Sequence, residues 1–254
     1  METRREERIN RLMQALRQSD KIHLKDAATL LGVSEMTIRR DLTAEASPLV
    51  LLGGYVVLEP RGSAVSHYLL SDQKTRHVVE KRAAARLAAT LVDPHQTLFF
   101  DCGTTTPFII EALDDALPFT GVCYSLNTFL ALQEKPHCRV ILCGGEFCAS
   151  NGIFRPLNFQ DTLSNLCPDI AFFSAAGVHP HHGATCFNLD ELPVKHWALR
   201  MAQRRVLVVD NSKFGNVKAA CMGPLNQFDT IISDATPEDD IIVFARQQGI
   251  ALRW

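Results

Sequence analysis

The sequence predicts an α/β protein in two parts: a small N-terminal three-helix module with a β-hairpin, and a larger domain on a mainly parallel sheet. Three observations carry that expectation. Apolar residues recur at helical spacing as far as Leu42. Two short apolar runs then flank Gly53-Gly54. From residue 75 onward, short apolar runs alternate with helical segments, the pattern of strands covered by helices on both faces. A chain of 254 residues is long enough to bury one sizeable core and a smaller second one.

The first helix is expected from Arg5 to about Ser19, with Ile9, Leu12, Met13 and Leu16 on its buried stripe. A short second helix, Leu24 to Leu31, turns Ala27, Ala28 and Leu31 inward. Gly32 breaks it, and Ser34 caps a third helix running to about Thr43, with Ile38 and Leu42 four apart on one face. PLVLLGGYVVLEP reads as a hairpin around its paired glycines. The boundaries expected are 1–57 for this module, 58–74 for a linker carrying Pro60, Arg61 and Gly62, and 75–254 for the second domain.

In that domain helices are expected at 75–91, 106–116, 126–133, 158–165, 190–203 and 237–247. Strands are expected at 97–101, 119–124, 138–142, 169–174, 205–209, 229–233 and 250–253. No internal repeat or low-complexity tract interrupts the pattern.

Composition narrows the classes. With 46% hydrophobic and 21% charged residues the chain is too apolar for long disorder. The opening METRREERIN lacks the apolar core of a secretion signal, and no later run approaches a membrane span, so a cytoplasmic protein without membrane contact is expected. Eight cysteines are scattered without a CxxC pair, which disfavours both a zinc site and a disulfide scaffold. His179, His181 and His182 invite a metal reading, but HPHHG has no Asp, Glu or Cys at ligand spacing, so no metal and no cofactor is expected.

HLKDAATLLGVSEMTIRRDL is the sharpest signal. Two short helices cross steeply only where small side chains meet and the turn accepts an unusual backbone angle; Ala27, Ala28 and Gly32 supply both. This is a helix-turn-helix, and the hairpin after it is its wing. With Ile38 inward, Met36, Arg40 and Thr43 face out, flanked by Thr37 and Arg39, as a surface for the major groove of double-stranded operator DNA. Ser34 stands at the helix start, where backbone donors can meet phosphate. Arg4, Arg5 and Arg8 on the first helix are candidates for phosphate contacts, which position without specifying. The bland alternative is a bundle with a solvated charged face: residues 1 to 55 hold nine Lys/Arg against eight Asp/Glu, so arrangement and not excess must make the surface.

In a parallel sheet, ligands bind beyond the C-terminal strand ends. Four loops fall there. Asp101-Cys102-Gly103-Thr104-Thr105-Thr106 joins a glycine to three hydroxyls and a helix start, a cradle for phosphate or else only a capping loop. Tyr124-Ser125-Leu126-Asn127 offers Ser125 and Asn127 to sugar hydroxyls or to the next helix. Gly144 and Gly145 follow VILC, and Lys213 in DNSKFG follows VLVV as a partner for an anion. Lys195, in ELPVKHW, is the remaining candidate.

TIRRDL after LGVSEM, the glycine hairpin, DCGTTT, Gly144-Gly145 and DNSKFG, in that order, resemble the DeoR family of bacterial transcriptional regulators over essentially the whole chain. The resemblance implies a winged helix-turn-helix followed by a sensor domain similar in fold to ribose-5-phosphate isomerases, and a repressor that leaves DNA when a sugar phosphate binds. YSLNTFLAL, CGGEF, FNLDELPVKHWA and METRREERI further imply deoxyribose 5-phosphate as effector and deoxynucleoside catabolism genes as targets. The family's phosphate loop falls on Gly103, Thr104 and Thr105, its acid on Asp101 and its late lysine on Lys213.

The chain departs from the family pattern in three places. Ser174-Ala175-Ala176-Gly177 stands where the family has Gly-Ala-Asp-Gly, Tyr124-Ser125-Leu126 where it has Thr-Asn-Ser, and Leu52 where a histidine is usual. The first removes an acid that proton chemistry would use, so no enzyme is expected. A sugar-phosphate isomerase with a DNA-binding appendage would need a convergent Asp/Glu pair near Gly103. A regulator answering a different effector would keep the same architecture, and a protein-interaction module would bind neither DNA nor sugar phosphate. Operator symmetry favours a homodimer or higher even homo-oligomer.

Overall fold

The computed structural model describes residues 4–16, 22–43, 49–52, 55–58, 77–149, 151–158 and 163–254. The hairpin turn at Gly53-Gly54, the expected linker beyond Leu58, and the middle of the helix expected at 158–165 lie outside the described residues. The chain divides into two compact units, Met1–Val65 and Ser66–Trp254.

The first unit runs α1 (Arg4–Ala15), β1 (Ile22–His23), α2 (Leu24–Leu31), α3 (Glu35–Thr43), β2 (Leu49–Leu52) and β3 (Tyr55–Leu58). Its core is the stripe read from the sequence: Ile9, Leu12 and Leu16 of the first helical segment meet Ala27, Ile38 and Leu42. Gly32 ends α2 at φ 64°, ψ 34°, a left-handed cap whose N–H reaches back to the last turn. The wing has a third strand that periodicity did not reveal. Two-residue β1 pairs with β3, and the His23 and Tyr55 rings meet edge to face at 5.1 Å.

The second unit begins with α4 (Val78–Ala89), β4 (Thr97–Phe100), α5 (Thr106–Ala112), β5 (Phe119–Cys123), α6 (Leu126–Gln133) and β6 (Cys138–Leu142). A hairpin of β7 (Glu146–Cys148) and β8 (Ile153–Arg155) precedes β9 (Ile170–Phe173), β10 (Gly177–His179) and β11 (Gly183–Cys186). Then come α7 (Leu192–Met201), β12 (Arg204–Val208), β13 (Ala220–Gly223), β14 (Thr230–Ile232), α8 (Asp239–Gln248) and β15 (Ala251–Arg253).

Seven strands form one sheet in the order β15-β14-β12-β9-β4-β5-β6, and every neighbouring pair is parallel. Period-two alternation splits its side chains between two cores. Phe99, Val122, Phe173, Leu207 and Ile231 pack under Val194, Trp197 and Ala198 of α7 and Ile241 and Ala245 of α8. Leu98, Phe100, Cys123, Phe172 and Val206 pack under Ala84, Ala85 and Ala88 of α4, Ile109 and Ile110 of α5, and Leu132 of α6. The expected layer order is present, and no helix among the described residues is long and apolar enough to cross a membrane. Two small antiparallel pieces, β7-β8 and β10-β11-β13, occupy stretches expected to be loops. Their strands are three or four residues long, too short for alternation to register.

This strand order positions the site. From β4 the chain steps outward through β5 to β6, then crosses to the other side of β4 with β9 and continues through β12. The loops leaving β4 and β9 therefore diverge side by side, opening a crevice at the point where the winding reverses.

Candidate functional site

In the first unit, α3 presents the outward surface expected of it. Met36 is 73% exposed, and Arg39 and Arg40 are exposed beside it, while Ile38, Asp41 and Leu42 are buried. Thr43 ends the helix and Arg4 begins α1. Ser34 and Thr37 serve the helix start: Ser34 Oγ accepts the Thr37 N–H at 3.2 Å and lies 2.9 Å from Thr37 Oγ1.

The arginines of α1 are engaged within the module. Arg8 forms a two-bond fork on the Asp41 carboxylate at 2.7 and 3.1 Å, Arg5 Nε donates to the Asp41 carbonyl at 3.1 Å, and Arg11 donates to the Leu30 carbonyl at 3.0 Å. Cations thus meet the C-terminal ends of α2 and α3, where the helix dipole is negative. Arg5 and Arg8, expected at phosphate, here make these contacts within the module, which tie α1 to α3.

In the second unit the crevice beside β4 holds a cavity of about 110 Å³, several waters in size and suited to a small metabolite. Gly103, Thr104 and Thr105 from the β4 loop form one wall with Ser174, Ala175 and Ala176 from the β9 loop. Asn188, Glu191 and Lys195 close it from the α7 side, Lys213 from the loop after β12, and Cys102, Cys186 and Phe187 complete it. Gly103 is required by packing: a Cβ there would lie 1.7 Å from Ser174 Oγ. Thr106 folds the loop on itself, donating to the Asp101 and Gly103 carbonyls at 2.7 and 2.8 Å.

Beneath the cavity lies a fully buried carboxylate. Asp101 Oδ1 accepts the Tyr124 hydroxyl at 2.7 Å; Oδ2 accepts Lys195 Nζ at 2.5 Å and the Ser174 N–H at 3.1 Å. Burial opposes ionisation of Asp101, yet Lys195 and these donors outweigh it and hold the group below its ordinary value. Burial likewise opposes the Lys195 ammonium, and Asp101, with Glu191 beyond it, keeps it charged well above its ordinary range. Glu191 Oε2 lies 3.4 Å from Lys195 Nζ, and Glu191 Oε1 accepts from Asn188 at 2.8 Å. Burial drives the Tyr124 phenol and the Cys102 thiol upward, so both remain protonated.

Of the eleven residues expected at the effector site, Gly103, Thr104, Thr105, Lys195 and Lys213 line the cavity, with Asp101 and Thr106 directly behind it. Ser125 does not. It caps α6, its Oγ 3.3 Å from the Thr128 N–H, and Thr128 Oγ1 in turn donates to the Asp101 carbonyl at 3.2 Å. Asn127 is half-buried against Gly152 of the β7-β8 hairpin. Gly144 and Gly145 are exposed ahead of that hairpin; Gly145 has φ 150° and a Cβ there would strike the Arg155 carbonyl at 2.0 Å. These residues lead off β5 and β6, on the far side of β4 from the cavity.

Sequence reading missed Asn188 and Glu191. Glu191 stands four residues before Lys195, a spacing that pairs side chains on a helix face and could have flagged it. His179, His181 and His182 cluster on the β10-β11 turn with rings 4.9 and 5.7 Å from His179. Among the described residues no group of three His, Cys, Asp or Glu is arranged to hold a metal ion.

Comparison with known proteins places these two units in one lineage. Residues 8–61 match the DeoR-like helix-turn-helix domain, and residues 76–235 match the DeoR C terminal sensor domain. The chain belongs to the DeoR family. Among its DeoR-family relatives, the deoxyribose operon repressor of Escherichia coli K12 is 70% identical over 254 residues, the full length of both chains. The glycerol-3-phosphate regulon repressor of the same strain is 27% identical over 249 residues, 97% of each. Ribose 5 phosphate isomerase A from Neisseria gonorrhoeae aligns with 53% of this DeoR-family chain and 52% of its own, at 17% identity and a TM-score of 0.38.

Proposed function

We propose that this protein is a transcriptional repressor of deoxynucleoside catabolism genes that binds operator DNA through α3 and leaves it when deoxyribose 5-phosphate fills the cavity. The observation that carries the reading is the 70% identity, end to end, with a deoxyribose operon repressor. The site's chemistry agrees. Lys213 and the hydroxyls of Thr104 and Thr105 in the cavity lining offer an anion charge and donors, and Glu191 and Asn188 in the same lining offer a sugar acceptors and donors. Residues 1–57 act as the DNA-binding module, 58–74 as linker and 75–254 as sensor. Operator symmetry calls for a homodimer or a higher even oligomer, working in the cytoplasm where its DNA is.

An isomerase reading has one observation in its favour: Asp101 and Glu191 converge on Lys195 at the cavity. Both carboxylates are already engaged there, Asp101 by four donors and Glu191 by Lys195 and Asn188, which supports binding without proton abstraction.

The deciding experiment titrates a protein–operator complex, at fixed salt, with deoxyribose 5-phosphate, ribose 5-phosphate and unphosphorylated deoxyribose. Release by deoxyribose 5-phosphate alone, with none of the sugars turned over, is the expected result. Binding that none of the three relieves would remove the effector, and turnover of a pentose phosphate would restore the isomerase reading.

A further inference from the structure

The cavity lining divides by chemistry. Lys213, Thr104 and Thr105 carry charge and hydroxyls, and Asn188 and Glu191 an amide and a carboxylate. Cys102, Ala175, Ala176, Cys186 and Phe187 offer a ligand little but apolar surface. Both thiols are already engaged: Cys102 Sγ accepts the Tyr124 hydroxyl at 3.0 Å, and Cys186 Sγ lies 3.6 Å from the Asn188 carbonyl oxygen. Phe187 is the one aromatic side chain among the described residues of the lining, and it is 48% exposed, outside both sheet cores.

Its neighbours hold it in place. Cys186 before it is the buried last residue of β11, and Asn188 after it donates through Nδ2 to Glu191 Oε1 at 2.8 Å. Lys218 Nζ stands over the ring, 5.7 Å from its centroid, and the Lys218 N–H donates to Thr185 Oγ1 of β11 at 2.9 Å. A half-exposed ring beside a lysine is ordinarily a surface contact. This one borders a cavity of metabolite size, so a ligand that touches it removes apolar area from water.

We propose that Phe187 is the specificity-determining residue of the effector site: it covers the oxygen-free C2 methylene of deoxyribose 5-phosphate and disfavours the 2-hydroxyl of ribose 5-phosphate. The inference rests on reading the cavity as a deoxyribose 5-phosphate site. The two sugar phosphates differ in that single oxygen. The phosphate and the shared hydroxyls find partners at Lys213, Thr104, Thr105, Asn188 and Glu191, and the methylene matches the apolar lining. A 2-hydroxyl in its place gives up water for a ring and methyl groups that offer it no hydrogen bond. An apolar pocket rejects an added hydroxyl by no more than about 100-fold, which bounds the selectivity expected here.

The test is calorimetric titration of the full chain with deoxyribose 5-phosphate and with ribose 5-phosphate, at one pH and one salt concentration. The wild type should favour the deoxy sugar by roughly 10- to 100-fold. Phe187→Ala should lose about tenfold in affinity for deoxyribose 5-phosphate and little for ribose 5-phosphate, so that the preference collapses. Phe187→Leu, still apolar, should keep most of it. Because Phe187 lies outside both cores, these variants should fold as the wild type does. Equal losses for the two sugars in Phe187→Ala overturn the inference, as does unchanged binding of both. Wild-type protein that binds the two sugar phosphates equally overturns it too. Wild-type protein that binds neither removes the effector reading itself, a distinct failure.

Discussion

At the scale of single residues, the sensor unit depends on Asp101 and Lys195, 0% and 1% exposed in their side chains. Removing one partner of a buried pair leaves the other uncompensated, a loss of roughly 3–5 kcal/mol. The sign of the pH dependence separates this pair from an ordinary packing defect. In the wild type, the contribution of Asp101, held below its ordinary value, is present above that value and lost as pH falls through the depressed one. That of Lys195, held above its ordinary value, is present below it and lost as pH rises through the raised one. Lys195→Met strips the cation away, and burial then pushes Asp101 upward. The variant should become more stable as pH falls through the acid range, where the wild type does not. Urea unfolding at a series of pH values reads this directly, and parallel curves for the two proteins would mean that Lys195 does not hold the charge.

At the scale of elements, α1 is bolted to α3 by the fork of Arg8 on Asp41, both largely withdrawn from solvent. Arg8→Ala should cost about 1–3 kcal/mol of stability in the DNA-binding unit, because Asp41 is left buried without its donors. Its effect on DNA distinguishes a clamp from a phosphate contact. A lysine or arginine that neutralises a phosphate contributes about one to the slope of log affinity against log salt. Arg8→Ala should therefore weaken operator binding while leaving that slope unchanged. A slope reduced by about one would return Arg8 to the phosphate contacts.

At the scale of the whole molecule, a net charge of −2 gives the chain no general attraction for DNA. On the function proposed above, affinity comes from the α3 surface repeated through symmetry. An operator reduced from two half-sites to one should lose on the order of 10²–10⁴-fold in affinity, because the second contact no longer forms within an already bound assembly. Gel-shift titration of the paired and single half-sites at one salt concentration measures it. Equal affinities would show that one α3 suffices and would remove the argument for a symmetric assembly on DNA.

The sequence by itself determined the two-part layout, the helix-turn-helix with its wing, and the parallel sheet, because 3.6- and two-residue periodicities report which faces are buried before any contact is known. It also marked Asp101, Gly103, Thr104, Thr105 and Lys213, since strand ends followed by glycine and polar residues are where an α/β sheet binds, and Lys195 on a helix that could face them. Only the tertiary structure decided which strand ends share a site. Strand order is set by packing between segments far apart in the chain, and it carries the loops after β5 and β6 away from the cavity with Ser125, Asn127, Gly144 and Gly145. Charge pairing was hidden for the same reason. Arg8 meets Asp41 across 33 residues and Lys195 meets Asp101 across 94, distances over which no spacing rule operates.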